Sequence, residues 1–137
     1  MKTYFLLIVA LCLSLCVYGQ AKPVKIVFDV SSADVEVHES TIRHVEIMSD
    51  SYPDSEFEIV VYGCSMDMVL TDKSSVSDKV KMLAAKDNVS FVICEFTMKR
   101  KNVASSQLIS GVKTVPDGIL ELAQKQQEGW AYIKESN

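Results

Sequence analysis

The chain is short of the residues on which most small-site chemistry depends. It has two histidines, His38 and His44, six positions apart on one predicted helix and so turned about 240° from each other. They cannot share a metal ion, and few cysteines are left to help, so neither a metal site nor an organic cofactor is expected. Of four cysteines, Cys12 and Cys16 fall in an apolar leader, leaving Cys64 and Cys94, too few for a disulfide scaffold. The five glycines form no Gly-rich phosphate loop and no Gly-x-Ser-x-Gly elbow, which argues against nucleotide-binding and serine-hydrolase readings. There is no basic stripe, so nucleic acid and anionic membranes are poor partners. No apolar run reaches the roughly 20 residues of a spanning helix.

An export signal is expected. Lys2 precedes an apolar run over 4–17, broken only by Ser14, and Gly19 supplies a small residue at the end. This predicts a cleavable signal peptide over 1–19, with the mature chain starting at Gln20 and free of the membrane. Leu15 is not the small residue that lipidation of Cys16 would require. With Lys2 set aside, 13 basic side chains face 18 acidic ones, a net charge of −5. At 48% hydrophobic and 23% charged residues over the whole chain, the composition is that of a globular protein rather than a disordered one, and 20–137 reads as one folded domain.

Short apolar runs over 24–30, 57–62, 89–94, 112–115 and 130–133 read as five strands. They are near-continuous and β-branched, as in strands covered on both faces. Between them lie helices. Asp34 is a predicted N-cap for one ending near Tyr52, with Ile42, Val45, Met48 and Tyr52 as its apolar stripe and Glu39 paired with Arg43 on the wet side. Ser75 is the expected cap of a second, with Val76, Val80 and Leu83 inward. A short third begins at Glu95, and a fourth has Pro116 in its first turn and stops at Gly129. Alternation of this kind predicts an α/β fold, one domain around a mostly parallel five-stranded sheet.

In such a sheet, ligands bind beyond the carboxyl ends of the strands. That places Asp29 and Ser32 after the first strand, Gly63 and Cys64 after the second, and Cys94 at the end of the third. Cys94 stands where strand gives way to helix, so first-turn amides can stabilise a thiolate, and Lys99 and Arg100 add positive potential. Glu95 opposes this. The plainer alternative is a small apolar residue closing a buried strand. Cys64 is either tolerated in its loop or a resolving partner for Cys94. The scattered methionines suit core filling better than copper binding, and Asp67, between two of them, suits a loop.

The run Val92-Ile93-Cys94-Glu95-Phe96-Thr97-Met98-Lys99-Arg100-Lys101 resembles the active-site stretch of DsrE-like (DsrE/DsrF/DsrH) sulfur-relay proteins. The opening strand, the segment Ile59-Val60-Val61-Tyr62-Gly63 (where relatives often carry histidine at Tyr62) and the stretch from Val112 to Ile133 are similar to the same family, here in an exported member. The resemblance implies a three-layer α/β/α domain that associates into homo-oligomers, trimers or hexamers. It also implies a persulfide-carrying cysteine at Cys94, served by small sulfur species or by a donor or acceptor protein.

Three functions therefore compete. One is an exported sulfur carrier or sulfurtransferase acting through Cys94, with Asp29, Ser32, Gly63, Cys64, Lys99 and Arg100 as binding candidates. The second is a non-catalytic oligomeric binding module, and the third a Cys64–Cys94 redox sensor. The signal and the resemblance together favour a periplasmic over a fully secreted destination.

Overall fold

The computed structural model describes residues 22–136; the expected signal peptide over 1–19 lies outside them. Five strands, β1 (Lys25–Val30), β2 (Glu56–Val61), β3 (Val89–Cys94), β4 (Lys113–Val115) and β5 (Ala131–Glu135), form one sheet in the order β4-β3-β2-β1-β5. Every pairing is parallel, with Phe28 opposite Ile59 and Ile133, and Ile59 opposite Phe91. Four α-helices connect them: α1 (Val35–Ser51), α2 (Ser77–Ala84), α3 (Glu95–Lys101) and α4 (Gly118–Gln127). A 3-10 segment, Gly63–Val69, follows β2.

The two faces of the sheet are covered unequally. Because side chains alternate along a strand, Ile26, Phe28 and Val30 point to one face with Phe57, Ile59, Val61, Phe91 and Ile93. There they meet Val37, Ile42 and Val45 of α1, Met66 and Met68 of the 3-10 segment, Val80 and Leu83 of α2, and Met98 of α3. The opposite face carries a smaller apolar cluster, Val27, Val60, Val92 and Leu122, with Tyr62, Val115 and Trp130 partly covered. One helix, α4, lies over it. The result is a three-layer α/β/α domain with a thick side and a thin one.

Helix starts follow local hydrogen bonding. Asp34 caps α1, its Oδ1 accepting from Glu36 N at 2.9 Å. The cap expected at Ser75 is not formed: α2 begins at Ser77, and Ser74 Oγ accepts from the Val76 N–H at 3.2 Å. Burial of Val76 sets that start, since the chain must turn before the helix for Val76 to reach the core. Pro116 likewise lies outside α4, whose N-cap is Asp117, with Oδ1 accepting from Ile119 N and Leu120 N. Tyr52 does not complete the α1 stripe. Its backbone has left the helix and its side chain is 44% exposed. Glu39 and Arg43 are exposed and form no ion pair with each other.

Candidate functional site

β3 ends at Cys94, which is also the N-cap of α3. The thiol is buried, 6% exposed, yet it opens onto a cleft of about 340 Å³ lined by Tyr62, Gly63, Cys94, Phe96, Thr97, Arg100, Asp117 and Ile119. The two cysteines among the described residues are free, Cys94 buried and Cys64 exposed.

Two helices meet at the sulfur. Burial pushes the Cys94 thiol up, but the Gly118 amide at the start of α4, the Thr97 amide and hydroxyl, and the Phe96 amide outweigh it. The net result is a thiol held below its ordinary value. Hydrogen bonds to the charged form do this because they replace the water that burial removed. Gly118 is needed for the approach: a Cβ there would lie 3.2 Å from Cys94 Cβ and 3.3 Å from Tyr62 Cβ. Thr97, 5% exposed, also accepts a hydrogen bond from Gly63 N at 3.0 Å. Neither Gly118 nor Thr97 stood out in the sequence. The signal that would have found Gly118 is a glycine beside an Asp cap, at the mouth of the helix that crosses to the thin face.

The expected site residues divide. Gly63 and Arg100 line the cleft with Cys94. Cys64 opens instead into a neighbouring cleft of about 210 Å³ with Met66, Asp67, Lys73, Lys101 and Val103. Lys99 lies over the Phe96 ring, 5.8 Å from its centroid. With Arg100 and Lys101 it occupies the last turn of α3, where cations complement the helix C-terminus. Asn102, which follows, takes φ +54, a left-handed cap conformation that asparagine tolerates better than most residues. Glu95 is drawn aside by Thr114, whose hydroxyl donates to its Oε1 at 2.9 Å.

Asp29 belongs to a network that adjoins the cleft at Tyr62, whose ring centroid lies 5.8 Å from Lys134 Nζ. Tyr132 donates to its Oδ2 at 2.6 Å and Lys134 to its Oδ1 at 2.8 Å, while Lys134 also reaches Ser31 Oγ at 2.6 Å. The bond to Asp29, with burial, pushes the Tyr132 hydroxyl up to about 12. Burial and then Asp29 also raise Tyr62, so this tyrosine keeps its proton. Ser32 works on the α1 entry: its Oγ accepts from Asp34 N at 3.1 Å and its carbonyl from His38 Nε2 at 2.8 Å. His44 pairs with Glu135 at 3.0 Å, so the two histidines serve different elements.

The sequence profile of the DsrE/DsrF-like family matches residues 25–134. The chain belongs to the DsrE/DsrF-like family. Among solved structures, this DsrE/DsrF-like domain is similar to MTH1491 of Methanobacterium thermoautotrophicum, a protein of unknown function. The TM-score is 0.75 at 26% identity, over 81% of this chain and 98% of that one. It shares its fold with ychN of E. coli, TM-score 0.68 at 15% identity over 83% and 99% of the two chains. BT1422 of Bacteroides thetaiotaomicron gives 0.68 at 14% identity over 84% and 99%. No curated protein matches the chain.

Proposed function

We propose that this DsrE/DsrF-like protein is a sulfur carrier whose Cys94 accepts and passes on sulfane sulfur. The observation that carries the reading is a thiol at the floor of an open cleft, with donors from the starts of two helices holding it below its ordinary value. In the transfer, the Cys94 thiolate attacks the outer sulfur of a donor R–S–SH. A new S–S bond forms to Cys94, the donor's S–S bond breaks, and its electron pair leaves with R–S⁻. The product is Cys94–S–SH, with no net oxidation. Arg100 at the cleft wall suits an anionic donor or an acidic partner segment.

The carrier is exported by its signal over 1–19 and acts in the periplasm. It works as a homo-oligomer, a trimer or hexamer, formed through the thinly covered face, where Ile119 is 65% and Leu120 53% exposed, next to the cleft that Ile119 shares with Phe96, 60% exposed. Apolar exposure on that scale favours association.

Intact mass after exposure to polysulfide tests the reading, with Cys94→Ser and Cys64→Ser beside the native chain. Added sulfur that disappears only in Cys94→Ser is expected. No adduct on either thiol would instead favour a binding module, a reading supported by the low exposure of Cys94. A two-dalton loss requiring both cysteines would mark a redox sensor.

A further inference from the structure

Gly63 has φ +65, and a Cβ added there would meet nothing within 4 Å. Glycine is therefore called for by the backbone and not by lack of space. That backbone conformation delivers the Gly63 N–H to Thr97 Oγ1 at 3.0 Å, across 34 residues of sequence. A hydroxyl has one proton and two lone pairs. With one lone pair held by Gly63, the Thr97 proton is free for another acceptor; Thr97 lies three residues after Cys94, the N-cap of α3, lines the same cleft, and its hydroxyl is among the groups that lower the Cys94 thiol.

The alternative for a buried helical threonine is visible elsewhere in the fold. Thr41 of α1, fully buried, donates to the carbonyl of Val37 four residues back, at 2.7 Å, the usual back-bond. Thr97 makes no such bond. It lies in the first turn of α3, and its i−4 residue, Ile93, still belongs to β3.

We propose that Thr97, oriented by the Gly63 amide, is the positioning residue that makes Cys94 a good leaving group for discharge of its sulfur. This rests on the carrier reading of Cys94. In discharge, an acceptor thiolate R′–S⁻ attacks the outer sulfur of Cys94–S–SH. The outer sulfur and its proton pass to give R′–S–SH, and the electron pair returns to Cys94 as the thiolate. The Thr97 hydroxyl meets that returning charge. Thiols of lower pKa leave faster in such exchanges, while the nucleophilicity lost on the loading step is only partial. Thr97 therefore acts more on discharge than on loading.

The test uses the Cys64→Ser background, so that one thiol reports. The pH profile of alkylation at Cys94 is compared among Thr97, Thr97→Ser and Thr97→Val. Removing a hydrogen bond to a charged group costs enough that thiolate at a given neutral pH should fall about tenfold in Thr97→Val. Thr97→Ser should retain the native profile. Discharge from preloaded Cys94 to a small thiol should slow more in Thr97→Val than loading does. An unmoved alkylation profile, or equal slowing of both steps, overturns the proposal.

A second measurement needs no variant at Thr97. In the native chain, the Gly63 amide resonance should shift with the same midpoint as Cys94 titration, and a Gly63 resonance indifferent to that titration overturns the proposal. Sulfur uptake is read separately by mass. A moved profile without uptake removes the carrier reading and leaves Thr97 as the group that ionises Cys94. Uptake with an unmoved profile does the reverse.

Discussion

At the scale of single residues, the site is a balance of a few hydrogen bonds against burial. Cys94 is depressed in the folded state, so its ionisation contributes stability above the ordinary thiol value of 9.0. That contribution is lost as pH falls through the folded value. Denaturation midpoints measured in reductant should therefore separate the native chain from Cys94→Ser increasingly as pH rises towards 9.0. A constant gap across that range would contradict the assigned hydrogen bonding. Gly118→Ala places a methyl 3.2 Å from Cys94 Cβ and 3.4 Å from Val60 Cγ1. Overpacking of this kind costs about 1–3 kcal/mol, and it should lower the denaturation midpoint while pushing the amide away from the sulfur. Slower alkylation of Cys94 at neutral pH is the second expected readout.

At the scale of elements, α4 does two jobs. Its start delivers the Gly118 amide, and its body closes the thin face through Leu122 and an ion cluster. Lys125 bonds Glu58 Oε2 at 3.0 Å and Glu121 at 3.6 Å, and it lies 4.5 Å from the centroid of the Trp130 ring. Glu58 is 6% exposed, and its Oε1 has no hydrogen-bond partner. Burial raises Glu58 despite Lys125, so stability tied to its proton is present below its ordinary value of 4.5 and is lost as pH rises through the folded value. Glu58→Gln should gain stability relative to the native chain as pH rises through that window, read by urea denaturation at several pH values. An unchanging difference would contradict the burial argument. Removing the α4 cap with Asp117→Ala frees the Ile119 and Leu120 amides and should cost about 0.5–2 kcal/mol.

At the scale of the whole molecule, the asymmetry of the sheet decides what is robust and what is exposed. Phe91 is fully buried in the thick core, and Phe91→Ala should cost about 3–5 kcal/mol by cavity formation. Leu120→Glu, on the thin side, should instead leave the fold intact and abolish the proposed association. Light scattering coupled to size exclusion distinguishes the two outcomes, and an assembly unchanged in Leu120→Glu would remove this face from the interface.

Much of the architecture was legible in the chain. Short β-branched apolar runs such as 89–94 suit strands covered on both sides, and Asp34 and the turn at 53–55 bound the first helix through local hydrogen bonding. The position of Cys94 at a strand-to-helix junction was readable for the same reason, since it depends on neighbours in sequence. What escaped was whatever depended on distant segments meeting. The Gly118 amide reaches Cys94 across 24 positions and Gly63 reaches Thr97 across 34. The separation of Cys64 from the Cys94 cleft was equally invisible. Periodicity and capping are encoded within a turn or two of each residue, and they determined the elements and their order. Which amides surround one sulfur, and which face of the sheet stays thin, was decided only when the strands took their places, because those contacts exist in space and not along the chain.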